Sequence, residues 1–303
     1  MAVSRSLKVA VAQYPITAFN DVESWKNHME MWVQQACAEH AELLVFPEYG
    51  AMELVSVFPE NIQRDLIGQL HALQELLPLF IETYTTLANQ FQCTIVSPSF
   101  PVKLTDYFVN RAHVFSPKGL VGHQDKWFMT RFENEEWGIT AGKKELSLFK
   151  ADWGNFGIQT CYDVEFGIGS HHLCKAGAHL IVAPSCTETI RGATRVHIGA
   201  RARALENQCY VAVSQTVGNA EWSPAVDINY GQAAFYTTPD TGMPEEGILA
   251  LGIPQRENWL YQELDFGALS MVRNEGQVFN FNDSVRTDQQ FDGEMIQVKK
   301  HFL

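Results

Sequence analysis

The chain has 303 residues, 46% of them hydrophobic, and a formal charge of −13 from 22 basic and 35 acidic side chains. That length can fill one large core or two small ones. The acidic balance repels phosphate backbones and argues against nucleic-acid binding, and no segment reaches the ~18 uninterrupted apolar residues of a membrane helix.

In chain order, Lys8 to Gln13 alternates apolar and polar residues and stops at Pro15, the pattern of a first strand. The preceding Met1 to Ser6 lacks the layout of a secretory signal, so a cytoplasmic location is the default expectation. Asn20 and Asp21 can cap a helix through Trp25, Met29, Trp32 and Val33 to about His40. Leu43 to Phe46 predicts a short strand ending at Pro47, Asn61 to Phe91 a long helical stretch, and Thr94 to Ser97 another strand. Tyr107 to Phe115 and Leu120 to Asp125 are strands joined by Ser116-Pro117-Lys118-Gly119, a hairpin signal. Strands follow at Phe156 to Thr160, Leu180 to Ala183, Tyr210 to Val217, Ala233 to Tyr236, Gly247 to Leu251 and Trp259 to Leu264, with helices at about His171 to Ala176 and Val196 to Gln208.

This interleaving predicts layered α/β packing. No repeat or linker interrupts it, so residues 1–274 are expected to form one domain and the polar stretch 275–303 an extended tail or interface arm. Six cysteines form no CxxC pair. Cys37, Cys93, Cys174, Cys186 and Cys209 read as reduced core residues.

Three reactive side chains fall at strand ends, where rigid strands fix catalytic groups and loops vary around them. Leu43-Leu44-Val45-Phe46-Pro47-Glu48 delivers a carboxylate, Gly122-His123-Gln124-Asp125-Lys126 an amine, and Phe156-Gly157-Ile158-Gln159-Thr160-Cys161 a thiol. Each alone has a bland reading as a solvated charge or packed thiol; their order and local sequences shift it.

On these residues the chain resembles the nitrilase-like carbon–nitrogen hydrolase family, in its amidase-type branch. The matching stretches are FPEYG at 46–50, HQDKWF at 123–128 and GIQTCYD at 157–163, supported by NRAHVFSPKG at 110–119, KAGAHLIVAPS at 175–185 and RARALENQCYV at 201–211. The resemblance runs from about Lys8 to Phe266. It implies a four-layer α-β-β-α sandwich, a homodimer or higher homo-oligomer, and no metal or cofactor.

It also carries a Glu–Lys–Cys triad onto Glu48, Lys126 and Cys161, with a second glutamate near the lysine. Among Glu133, Glu135 and Glu136, the distance to Gly142 favours Glu136, with Glu135 second. The implied chemistry is cleavage of a non-peptide C–N bond of a small linear amide through a cysteine thioester, releasing ammonia or an amine. Glu48 would move the proton, and Lys126 would lower the thiol pKa and neutralise the carbonyl oxygen with help from the backbone N–H of Tyr162.

Cys161-Tyr162-Asp163 is similar to the amidase side of the family, while Phe166-Gly167-Ile168-Gly169 lacks the Phe-Pro-Glu common there. That departure is expected to reshape the adjoining loop more than the chemistry. Carbamoylase, nitrilase and acyltransferase activities, or an inactive binding role, are the competing readings.

Tyr49, Trp127, Trp137, Tyr162, Thr187 and Arg191 are candidate substrate-binding residues because they flank the triad or follow the Val182-Ala183-Pro184 strand. The aromatics could equally pack, and Arg191 could hold a substrate carboxylate or a surface ion pair. Arg201, Arg203 and Glu206 read as a structural charge network at helical spacing. His171, His172 and Cys174 match no standard zinc set and read as a helix start.

Overall fold

In the computed structural model, which describes residues 6–290 and 299–300, β1 (Ser6–Pro15) shows how the sequence builds layers. Its alternation sends Leu7, Val9 and Val11 into one apolar core and Ala10, Ala12 and Tyr14 into another. The strands that follow are β2 (Leu43–Val45), β3 (Thr94–Val96), β4 (Phe100–Lys103), β5 (Phe108–Ser116), β6 (Gly119–Asp125), β7 (Leu148–Ala151) and β8 (Gly154–Ile158). After them come β9 (Leu180–Ser185), β10 (Tyr210–Asn219), β11 (Ile228–Asn229), β12 (Ala234–Tyr236), β13 (Ile248–Leu251) and β14 (Asn258–Asp265).

The order β4-β5-β3-β2-β1-β10-β9-β8-β7 runs through one curled sheet, in which the pairs along the run β3-β2-β1-β10-β9-β8 are parallel and those at either end antiparallel. Its two halves face each other. The central core joins Val9, Val11, Val45 and Val114 from one half to Phe156, Leu180, Val182 and Ala212 from the other. On the outer side of the first half, α1 (Val22–Ala38) and α4 (Leu77–Phe91) cover a core of Trp25, Met29, Phe80 and Tyr84. On the opposite side, α5 (Gly167–Lys175) and α6 (Ile190–Asn207) close over Ile181, Ala183, Val211 and Val213. Three cores therefore separate four layers in the order α-β-β-α, the fold that the family resemblance implies. No helix among the described residues is long and apolar enough to cross a membrane.

Two expectations change. The helical stretch 61–91 is divided into α2 (Glu60–Gln63), α3 (Gly68–Leu73) and α4. Asp65 caps the backbone N–H groups of Ile67 and Gly68, and Pro78 sits where α4 starts, a position at which its missing N–H is unneeded. Beyond Asn274 the chain is not extended throughout. After α7 (Phe266–Glu275), α8 (Asn280–Gln290) forms and docks on α5, its Asp288 carboxylate bonded to His171 at 2.6 Å and Lys175 at 2.9 Å. The remainder of the expected tail, 291–298 and 301–303, lies outside the described residues.

Candidate active site

Four chain segments deliver the site from strand ends. Glu48 follows β2, Lys126 follows β6, Cys161 follows β8 and Cys186 follows β9. Glu48 is buried, and Oε1 accepts hydrogen bonds from Lys126 Nζ at 2.8 Å and from Asn110 Nδ2 at 2.8 Å, while Oε2 accepts from the Cys186 N–H at 2.9 Å. Lys126 Nζ also donates to Glu133 at 2.8 and 2.6 Å. The Glu48 carboxylate meets the Cys161 thiol, which points at the Cys186 carbonyl 3.6 Å away.

Cys161 opens a 3₁₀ turn, Cys161–Glu165, with a φ of +48°. A non-glycine residue in that left-handed region is strained, and surrounding contacts must hold it there. α6 supplies them. Arg203 Nη1 donates to the Val164 carbonyl at 3.0 Å and pairs with Glu206 at 2.9 Å. Gly199 admits the turn, because a Cβ there would stand 2.7 Å from the Val164 oxygen.

One ammonium shared by two buried carboxylates sets the electrostatics. Burial pulls the Lys126 amine down, but Glu133, Glu48 and Cys161 outweigh it and hold it well above its ordinary value. Burial raises both carboxyls, yet with different results. Lys126, Tyr49 and Thr130 overcome it at Glu133 and leave that group below the usual range; Glu48 stays raised because Glu133 offsets part of the Lys126 attraction. Burial also pushes the Cys161 thiol up, and Glu48 adds to this, so the downward pull of Lys126 does not prevail. Lys126 thus acts on the thiol in the expected direction, but burial and Glu48 outweigh it.

The profile of the carbon–nitrogen hydrolase family matches residues 8–265. The chain belongs to that family. It is 30% identical over 280 residues to the probable hydrolase YhcX of Bacillus subtilis, an alignment covering 92% of this chain and 54% of that protein, so the chain spans about half the relative's length. A chloroplastic omega-amidase of Arabidopsis thaliana is 25% identical over 86% of this chain and 71% of its own. Among solved structures, a carbon–nitrogen hydrolase from Helicobacter pylori superposes with a TM-score of 0.77 at 18% identity, covering 96% of this chain and 98% of that one.

In this family member, Glu48, Lys126 and Cys161 lie together at a cavity of about 680 Å³. Tyr49, Trp137, Tyr162 and Thr187 also line it. Tyr49 donates to Glu133 at 2.6 Å and its ring packs 4.6 Å from that of Trp137. Two expected pocket residues do not reach the cavity. Trp127 turns its indole N–H to the Glu145 carbonyl at 3.0 Å. Arg191 is exposed in the first turn of α6, off the stripe Thr189-Gly192-Arg195 that faces the cavity, so the guanidinium on this wall belongs to Arg195.

The glutamate beside the lysine is Glu133, which corrects the preference for Glu136 and then Glu135. Glu136 is exposed, and Glu135 pairs outward with Arg131 at 2.6 Å. The overlooked signal is Thr130-Arg131-Phe132-Glu133, a capping box. Glu133 Oε2 accepts the Thr130 N–H at 2.9 Å, and the Glu133 N–H reaches back to Thr130 Oγ1 at 3.4 Å. Asn110 and Cys186 were also overlooked as partners of Glu48. Cys186, expected in a core, is half-buried on the cavity wall, as a thiol that takes no part in the Glu48 contact made by its own backbone.

Proposed function

We propose that this protein hydrolyses a small linear amide through a thioester on Cys161. The observation that carries the reading is the convergence of a thiol, a proton-avid carboxylate and a buried ammonium at the floor of one open cavity. A thiol held protonated is a poor nucleophile, so its proton must leave during attack. Glu48, in contact with the sulfur and raised by burial, is the group placed to take it. The sulfur bonds to the carbonyl carbon, negative charge builds on the oxygen, and the Lys126 ammonium stabilises it. Glu48 then returns the proton to nitrogen as the C–N bond breaks, releasing ammonia or an amine. Water attacks the thioester with Glu48 again accepting a proton, and the acid departs with the thiol restored.

Glu133 keeps Lys126 charged and aimed, and Tyr49 and Thr130 keep Glu133 in place. This divides the work of two carboxylates by environment, the pattern in which neighbouring acids take different roles. Arg195 engages Glu165 only through Nε, at 3.3 Å, which leaves its terminal nitrogens for an anionic group on the far end of a substrate. The test is ammonia release from a panel of neutral amides, ω-amides of dicarboxylic acids, carbamoyl compounds and nitriles. Amides should be turned over and Cys161→Ala should be silent. Nitriles consumed with amides untouched, or turnover surviving in Cys161→Ala, would overturn the reading.

A further inference from the structure

Asp163 is buried two residues after the nucleophile and, among the described residues, forms no ion pair. Its carboxylate instead faces the segment that follows Lys126. Oδ1 accepts the Phe128 N–H at 2.8 Å and the Trp127 N–H at 3.1 Å, and Oδ2 lies 3.2 Å from the latter. A second contact runs beside it. The Phe128 ring stacks on Phe166 at 4.1 Å, and Tyr162 meets Phe166 edge-on at 4.9 Å. Asp163 lies within the short turn that Cys161 opens and Phe166 directly follows it, the two joined by the Phe166 N–H to the Asp163 carbonyl at 3.1 Å.

The chain that presents the ammonium and the chain that presents the sulfur are far apart in sequence. We propose that Asp163 is a positioning residue: it binds the backbone after Lys126 to the turn that carries Cys161 and so fixes ammonium and thiol relative to each other. It touches neither substrate nor sulfur in this role. Burying a carboxylate is unfavourable unless its lone pairs are taken, and the two backbone N–H groups and the charge of Lys126 are what restrain a group that burial has pushed up to about 7. The other charged group facing it, Glu48, acts in the opposite sense. A purely structural carboxyl at this position could be exchanged for its amide with little effect on the thiol. A positioning one cannot, since the asparagine NH₂ would confront the Trp127 N–H where Oδ2 now lies.

The inference rests on the amidase reading for its kinetic consequence, but the thiol can be read without any substrate. In the full-length protein, acrylamide alkylation of Cys161 is followed by mass spectrometry for wild type, Asp163→Asn and Asp163→Ala, with thermal melts to establish that each is folded. The alkylation rate is expected to fall about tenfold in the asparagine variant and about a hundredfold in the alanine variant, the scale of a misplacement of roughly 1 Å. On whichever amide proves active, kcat should fall in the same order with KM changed less than threefold. Wild-type alkylation rates in a folded asparagine variant, or a loss confined to KM, would overturn the proposal. If wild type turns over no amide at all, the proposed function fails, while the alkylation rates still decide the role of Asp163.

Discussion

Glu48 and Glu53 both follow β2, the first just past the strand and the second in the 3₁₀ helix Gly50–Val57, and both are buried. Burial raises both carboxyls, Glu53 to about 8. Their company differs. Glu48 meets an ammonium, a thiol and the cavity, whereas Glu53 is held by neutral donors only: the Tyr14 hydroxyl at 2.9 and 2.8 Å and the Trp25 indole N–H at 2.7 Å. A displaced carboxyl is a candidate for chemistry, but here two equally buried ones separate only by what else can be reached from them. Glu53 anchors α1 to the 3₁₀ helix behind the site. Glu48 faces the reacting atoms.

The comparison breaks most visibly at Glu48. Glu48→Gln keeps the shape of the side chain and the contacts from Lys126 and Cys186 in part, yet cannot accept a proton, so kcat for amide hydrolysis should fall by about 10²–10⁴. Steady-state ammonia release checks this, and an equal loss in Glu53→Gln would erase the distinction. Lys126→Met comes next, at about 10²–10³ in kcat. It also leaves Glu48 and Glu133 facing each other without a cation, which should cost about 3–5 kcal/mol in denaturant unfolding. Unchanged stability would mean that the ammonium is not the hub that its three hydrogen bonds indicate.

Glu133→Gln sharpens the contrast from the other side. Loosened aim of Lys126 should lower kcat by roughly tenfold. Because Glu133 is among the groups that raise Glu48, its neutralisation lets Lys126 pull Glu48 down. A group titrating at lower pH stays ionised further into the acid range, so the acidic limb of the kcat profile should move to lower pH. A limb that stays in place or moves upward would place the titrating group elsewhere.

What the sequence disclosed follows the same division between local pattern and company. The alternation in β1 and the apolar runs of β9 and β10 announce strands because side-chain period is a local property. Glu48, Lys126 and Cys161 are legible because each closes such a strand. Glu133 was missed because three glutamates lie within four positions, and the one local cue that separates it from Glu135 and Glu136 is its place three residues after Thr130 in a capping box. Arg195 escaped for the same reason, being one turn beyond Arg191 on a helix whose cavity-facing stripe is set by packing. The partners Asn110, on the antiparallel β5, and Cys186, just after β9, reach Glu48 from elements distant in the chain, contacts that no spacing along the chain encodes. The stretch Phe166-Gly167-Ile168-Gly169, which lacks the family's Pro-Glu, likewise gains meaning only in space. Gly167 begins α5 beside the Arg203–Glu206 pair, and Gly169 leaves room for the Gln159 side chain.

The smallest effect on activity, and the most direct statement about Glu53, comes from Glu53→Gln. The folded chain holds this proton up to about pH 8, while an unfolded glutamate releases it near its ordinary value of 4.5. Between those values the native state binds more protons than the unfolded state, so stability declines as pH rises through that window and levels off above it. At about 1.4 kcal/mol per unit of pKa difference the loss is of the order of several kcal/mol for a fully buried group. Glutamine does not titrate and can still accept the Trp25 and Tyr14 protons. Its unfolding free energy should therefore fall less steeply than that of wild type from pH 5 to 8, match wild type near pH 5 and exceed it near pH 8, with kcat within about twofold of wild type throughout. Denaturant melts across that range decide the matter: a parallel pH slope in the two proteins would show that the burial of Glu53 stores no protonation energy and that the two glutamates differ less than their surroundings imply.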